Sequence, residues 1–436
     1  MADREWREAS DMRPSLAGLA VVLAVAAALR FWALGSGIPH GVPADESDLM
    51  ARVLRMMQTG DFNPHRFDQP TLYVYLQLLV ACIRFVAGAS AGLWTSVSQV
   101  DAGHFYLWGR ILTAALGTAT VYFVYLIGSR WGARHALLAA GLMAVMPYHV
   151  RQSHYVLTDV PMAFFTTLSF LLTLRALEKQ TPGAFAWAGA SAGLAAGTCY
   201  AGGAILLAPL IAAYSAANPT RPRHLLALAA VGAAAGCFVL AAPYTVGDLP
   251  GFLNGLAALS AGRGASASGL ARWQALAESL NAGFWYSGML LMIWGLIHAV
   301  VRAITGPGKS RFLLLLVFPA ASFVLFPAEA AATRWLVPLL PFLALLIAIA
   351  IVSGVSLLRR FNFPRAVRTA LIAALTVVAI LPPAVVAVDF DRAFGRPSTD
   401  LVLPVEPGRA RPSFQVVRIK APSTTPPSST GGPVGG

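Results

Sequence analysis

The chain has 436 residues, 57% hydrophobic and only 12% charged, with a formal net charge of +13. Soluble domains carry roughly 25% charged residues, so this composition, with a mean hydropathy of +0.65, excludes an ordinary soluble domain and implies a polytopic membrane protein. The excess of Lys and Arg has to be placed by side of the membrane before it is read as a nucleic-acid signal.

Residues 1–15 read as a short charged cytoplasmic tail. The apolar run from Leu16 to Leu34 is too long for a signal-peptide core and shows no clear cleavage site, so it is expected to span. After it comes "GIPHGVPADESDLMARVLRMM", residues 37–57, which sets Asp45, Glu46 and Asp48 together at the start of a helical pattern. A first outer loop is predicted over 36–104. Within it, "PTLYVYLQLLVACIRFVAG" at 70–88 carries Gln77 and Arg84 and two early tyrosines. It is the weakest span candidate and reads as a helix lying along the outer face.

Further apolar segments fall at 105–128, 135–149, 159–177, 184–200, 202–217, 225–245, 283–302, 311–327, 334–357 and 367–388. A short second outer loop is expected at 149–158 and a third at 246–282. The third has a "RGASASG" centre, where Gly262, Gly264 and Gly269 would let a lid bend over the outer mouth. The tail over 389–436 is expected outside, and disordered from about Ala421, where Pro, Ser, Thr and Gly dominate. Cys82, Cys199 and Cys237 lie in apolar segments at spacings that fit no metal site, and read as buried, inert thiols.

Charge sets the sidedness. Arg130/Arg134, Arg175/Lys179, Arg221/Arg223, Arg302/Lys309/Arg311 and Arg359/Arg360/Arg365/Arg368 mark five cytoplasmic places. Even numbers of crossings between them require that 70–88 not cross. The expected fold is an all-α polytopic bundle of about eleven transmembrane helices over 16–388, with the N-terminus inside and the C-terminus outside. Beyond residue 12 there are fifteen acidic residues, and on this topology only Glu178 lies inside. Acids barely influence insertion, so their one-sidedness points to chemistry at the outer face.

Three carboxylates reach that face at helix mouths: Asp45, Glu46 and, in "HYVLTDVPMAFF", Asp159. Each has a plainer reading as a helix cap or first-turn acid. Arg334, in "EAAATRWLVPLL", starts a span on the same side, and its planar fork suits a phosphate; snorkelling is the alternative. Arg66, Arg110 and Arg151 are weaker candidates for that task, and His65 and His154 are outer-loop histidines. Arg30 sits deep near the end of the first span, where a charge is costly and could face a cavity.

The acidic pair after the first span, "FNPHRFDQPTLYVYL", "GRILTAALGTATVYFVYLIGSRWG", "YVLTDVPMAFF" and "TRWLVPLLPFLALL", in that order, resemble the GT-C glycosyltransferases of the protein O-mannosyltransferase and aminoarabinose-transferase type. The resemblance covers roughly residues 16–360. It implies a GT-C bundle with a juxtamembrane helix in the first outer loop. It also implies transfer of a sugar from a polyprenyl-phosphate carrier to a hydroxyl of a protein, lipid or glycan at the extracytoplasmic face of the cell membrane. Asp45 and Glu46, with Asp159, match the family's acidic positions. Asp45 is then expected to be the base, with Glu46 as its partner. Arg334, Arg66, His65, Arg151, His154 and Arg30 are candidates for binding the substrate or its phosphate. No cofactor and no metal is expected. Asp68-Gln69-Pro70 departs from the family's usual His-Pro-Pro. A transporter or flippase of lipid-linked intermediates is the alternative; it would predict paired repeats and ionisable residues at mid-membrane, whereas here the charges gather at the outer face. A non-catalytic scaffold would leave that gathering unexplained.

Overall fold

A computed structural model describes residues 16–39, 41–215, 221–262, 269–306, 308–325, 332–360, 363–395, 400–404 and 414–418. The expected helical, polytopic architecture is the observed one. In chain order the helices are α1 (Leu16–Phe31), α2 (Ala44–Thr59), α3 (Leu72–Ser90), α4 (Tyr106–Gly128), α5 (Ala133–Ala144), α6 (Pro147–Gln152), α7 (Asp159–Lys179) and α8 (Pro182–Thr198). A 3-10 segment (Tyr200–Leu206) runs into α9 (Leu207–Ser215). Then come α10 (Arg223–Ala241), α11 (Leu249–Gly262), α12 (Gly269–Thr305), α13 (Lys309–Leu325), α14 (Ala332–Leu336), α15 (Leu340–Arg360) and α16 (Arg365–Phe394). Strands β1 (Asp400–Pro404) and β2 (Phe414–Arg418) pair antiparallel, an element the sequence reading did not foresee. Seven helices are long and apolar enough to cross a membrane, and shorter apolar helices accompany them.

The side-chain contacts sort the chain into two ends. At one end, Glu178 at the foot of α7 ion-pairs with Arg130, and with Arg311 at 3.4 Å, while Arg311 also donates to the Arg130 carbonyl (2.9 Å). This basic end gathers the turns after α4 and α7 and the start of α13. At the other, acidic end lie two ionic groups, Glu46 with Arg110, and Arg334 with Asp45 and Asp159. Among the described residues, the helices of span length and apolarity are α3, α4, α7, α10, α12, α15 and α16, and α1, the 3-10/α9 unit and α11 are shorter apolar helices.

Helix α3 is apolar enough to be a span by composition, but its course is different. Tyr73 hydrogen-bonds Thr113 (2.5 Å), Gln77 donates to the Gly109 carbonyl (3.2 Å), and the Arg84 guanidinium lies over Trp108 (5.7 Å). From Tyr73 to Arg84 the helix travels about 16 Å, while its contacts retreat about 7 Å along α4, at 1.5 Å per residue. So α3 crosses α4 steeply and stays with its first turns. It closes a separate apolar cluster with Leu49, Met50, Val53 and Met56 of α2 and with Val100 and Phe105. Its other face, Leu79, Ile83 and Val86, is exposed. Cys82 lies on the exposed side too, and Cys199 and Cys237 are half-buried, so the expectation of buried thiols does not hold. The cause in Cys82's case is that α3 has one packed face rather than two.

The region expected as a third outer loop is largely helical. α11 occupies 249–262 and α12 begins at Gly269; the 263–268 stretch, the centre of the expected lid, lies outside the described residues, as does the tail from Ala421. Asp248 and Pro250 resemble loop residues, but here they open the helix: the Asp248 side chain accepts from the Gly251 backbone (3.1 Å).

Small residues bring α8 and α10 together. A Cβ built at Gly189 or Gly193 would overlap the carbonyl oxygens of Ala230 and Ala234, and one at Gly197 would meet the Ala241 methyl at 2.7 Å. A glycine every fourth residue lets two backbones touch where apolar attraction to lipid offers no advantage. Gly193→Val is expected to lower stability by about 1–3 kcal/mol, the usual effect of overpacking. A thermal melt of the detergent-solubilised protein checks it; Gly232→Val, where nothing lies within 4 Å, should melt like the parent.

Candidate functional site

Helix α2 starts at Ala44, with Pro43 as its N-cap and no side-chain capping bond. Asp45 and Glu46 therefore occupy the first turn, where the positive end of the helix dipole suits them, and neither is the cap. Adjacent residues on a helix point about 100° apart, and the two acids have opposite fates. Glu46 turns inward and is fully buried. It accepts a two-pronged hydrogen bond from Arg110 of α4, Nε to Oε1 at 2.7 Å and Nη2 to Oε2 at 2.8 Å, and a third from the Val156 backbone at 3.0 Å. Arg110, also fully buried, spends Nη1 on the carbonyls of Leu34 (2.9 Å) and Ser36 (2.8 Å). This clasp leaves neither group open to a ligand.

Asp45 turns outward, with a side chain 63% exposed, and ion-pairs with Nη1 of Arg334. The Arg334 Nε donates to Asp159 Oδ2 at 3.0 Å. Asp159 is the first residue of α7; the cap before it is Thr158, again without a side-chain bond. Three residues singled out from distant parts of the sequence thus form one cluster: an arginine held between two carboxylates at the mouth of the bundle.

Arg151 stands beside this cluster, its charge felt by Asp159, Arg334, Tyr148 and Tyr155. Among the described residues it makes no ion pair. Burial pulls its pKa below the usual arginine range, so an arriving anion would find a poorly solvated cation. Tyr155 was not anticipated. Its ring packs at right angles against Phe394 (5.6 Å) and lies under the Arg110 guanidinium (5.7 Å). Its place in "RQSHYVLTD", between Arg151 and Asp159, was the available clue.

The remaining candidates are placed elsewhere. Arg30 is fully buried and does not face the mouth. It donates to the carbonyls of Ala26 (3.0 Å), Met143 (3.0 Å) and Ala144 (2.9 Å), with His149 Nδ1 at 3.2 Å. The negative C-terminus of α5 holds it there. His154 is fully buried too. His65 bonds Asp61 (2.7 Å), and with the neighbouring Asn63 amide this holds the Asp61 carboxyl below its usual range. Arg66 is shared between Asp48 (3.1 Å) and Asp68 (3.3 Å), next to Arg52, which bridges the same two acids. These last residues belong to an exposed ionic lattice.

Residues 102–246 match the family model described as dolichyl-phosphate-mannose-protein mannosyltransferase. No curated protein matches the sequence. Among solved structures, the chain is similar to the apo oligosaccharyltransferase of Archaeoglobus fulgidus, with a TM-score of 0.59 and 15% identity over 88% of this chain and 56% of that one. The same organism's AglB in complex with an inhibitory peptide and a dolichol-phosphate gives 0.57 and 16%, covering 87% and 56%. ArnT from Cupriavidus metallidurans bound to undecaprenyl phosphate gives 0.57 and 16%, covering 87% and 76%. The chain spans little more than half the length of the archaeal enzymes it matches. At such identities the likeness establishes a shared fold.

Proposed function

We propose that this chain, which has the fold of the GT-C glycosyltransferases, transfers a sugar from a polyprenyl-phosphate carrier to a hydroxyl acceptor. The observation that carries the reading is the Asp45–Arg334–Asp159 cluster at the bundle mouth. A sugar on a lipid phosphate already has a good leaving group. What the reaction still needs is a base for the incoming hydroxyl and positive charge for the departing phosphate.

Arg334 offers the positive charge and Arg151 adds to it. A lipid phosphate presents oxygens in the geometry an arginine fork binds in pairs, and it competes with Asp45 for Arg334. As Arg334 turns to the phosphate, Asp45 is released to act as base, while Asp159 keeps Arg334 in place. The acceptor hydroxyl gives its proton to Asp45. Its oxygen bonds the anomeric carbon as the carbon–phosphate oxygen bond breaks, and the polyprenyl phosphate leaves. Glu46 takes no part in this exchange; it anchors the first turn of α2 through Arg110. The matches support a prenyl-linked donor: one neighbour was solved with dolichol-phosphate and another with undecaprenyl phosphate. Protein, lipid or glycan could each supply the acceptor hydroxyl.

The test is turnover of a labelled polyprenyl-phosphate sugar by the purified protein in detergent. Release of polyprenyl phosphate with label on a hydroxyl acceptor is expected. Movement of the intact lipid across vesicles with no release of phosphate would instead favour a transporter.

With two arginines to neutralise the leaving group, no resident metal is required. The transfer rate is expected to stay within about twofold in excess EDTA, since arginine forks do the electrostatic work that a metal would otherwise do; a loss that added divalent ions restore would contradict this.

The basic end, by the positive-inside rule, faces the cytoplasm, which puts the acidic mouth on the extracytoplasmic face of the cell membrane. In a background lacking the native cysteines, Ser98→Cys, in an exposed turn after α3, should react with an impermeant thiol reagent applied outside intact cells. Lys309→Cys, exposed at the start of α13, should not. The reverse pattern would overturn the topology.

A further inference from the structure

The end of α6 and its connection to α7 carry Arg151 and Tyr155 toward the mouth, and His154 between them points the other way. His154 Nδ1 lies 2.9 Å from the Val150 carbonyl oxygen and Nε2 lies 3.1 Å from that of Trp32. A neutral imidazole has one N–H and one bare lone pair. In either tautomer one of these contacts sets a lone pair against a carbonyl; only the imidazolium donates to both.

A buried imidazolium needs a counter-charge. Asp391, near the end of α16, puts Oδ1 at 3.6 Å from Nε2, and that buried oxygen has no hydrogen-bond partner among the described residues. The rings of Phe390 and Phe394 close over His154 edge-on at 5.2 and 4.8 Å, so the pair is dry. The other groups facing it are cations and a neutral ring. Arg30 of α1 is met by the carbonyls that end α5, Arg110 of α4 is neutralised by Glu46, and His149 of α6 accepts from Arg30. Burial pushes the His154 pKa down, to about 4 with the two carbonyl contacts already raising it; that balance leaves out the facing Asp391 carboxylate, which acts the other way.

We propose that Asp391 is a positioning residue: it holds His154 as an imidazolium that fastens the exit of α1 and the end of α16 to the 151–155 turn, setting Arg151 and Tyr155 at the donor's phosphate. Phe394, one turn beyond Phe390 on the same helix, braces Tyr155 directly. The proposal rests on the reading of Arg151 as a phosphate ligand. It places α16, far from the acids in sequence, in control of donor affinity.

The experiment measures the dissociation constant of sugar-free polyprenyl phosphate for the detergent-solubilised protein from pH 5 to pH 9, alongside melting temperature. His154 gains a partner on folding, so its proton is present at low pH and is lost as pH rises through its folded-state pKa. Affinity should fall on that alkaline limb. Asp391→Asn keeps the shape and removes the anion. It should weaken binding about tenfold and move the limb to lower pH by about one unit or more, while Asp391→Glu restores much of both. His154→Gln should weaken binding and abolish the limb. A variant that binds like the parent at every pH, or is weakened equally at every pH with a lowered melting temperature, overturns the proposal. Parent protein that does not bind polyprenyl phosphate at all would overturn the proposed donor, and this inference with it.

Discussion

Asp45→Asn is expected to reach the membrane, melt like the parent, bind the carrier lipid and transfer sugar at least 10²-fold slower, because loss of a general base typically costs 10²–10⁴-fold. A helix cap was the competing account of this residue, and the structure removes it: Pro43 is the N-cap and Asp45 is the second residue of the helix. The side chain is mostly exposed, and surface substitutions away from special features usually stay within about 0.5 kcal/mol. A rate loss therefore has no structural route to hide behind. The variant also frees Arg334 from one carboxylate, so phosphate affinity should hold or improve while the chemical step fails. The measurement is initial rate of polyprenyl-phosphate release at saturating donor, beside a lipid-binding titration. A folded variant with near-parental rate would pass the role of base to Asp159.

Arg110→Met should produce the largest loss of stability. It leaves Glu46 as a fully buried carboxylate without its counter-ion, and breaking a buried pair in this way costs about 3–5 kcal/mol. The turn at Leu34–Ser36 loses its donor as well. The single variant should fail to accumulate or melt far below the parent. The double variant Glu46→Met with Arg110→Met should recover much of the deficit, because apolar replacement of a whole buried pair is often neutral or better. Recovered folding with retained transfer would show the role of Glu46 to be structural rather than catalytic. A single Arg110→Met variant that melts like the parent would contradict the clasp.

The helices were legible because their signal is local. Runs of about 20 apolar residues announce spans, and the basic turns order them. Gln77 and Arg84 marked α3 as different, and both turn out to contact the first turns of α4. Charge parity sets this helix apart from the spans, whereas length and apolarity alone count it among them. The meeting of Asp45, Asp159 and Arg334 was partly legible: each stood at a helix mouth on one side, though no spacing reveals that one guanidinium reaches both acids.

What was not legible was tertiary. Asp45 and Glu46 are neighbours in sequence, and only the packing of α2 on α4 decides which is sealed in. Arg30 looked like a charge seeking a cavity; its partners are backbone carbonyls at the end of α5, which no side-chain pattern encodes. Asp391 passed as an ordinary residue at the edge of the last span, because its partner lies on a loop before α7. The stretch at 249–262 looked like a loop because Pro and Asp at its start are read as breakers, although both are acceptable in a first helical turn.

The central claim is that the Asp45–Arg334–Asp159 cluster opens to receive a lipid phosphate. The most direct measurement is a structure of the Asp45→Asn protein with an intact polyprenyl-phosphate sugar. The account predicts the phosphate on the forks of Arg334 and Arg151, Asp159 still bound to Arg334, and the anomeric carbon facing residue 45 with room for a hydroxyl between them. A phosphate bound elsewhere, with Arg334 and Asp159 undisturbed and residue 45 out of reach of the sugar, would contradict it.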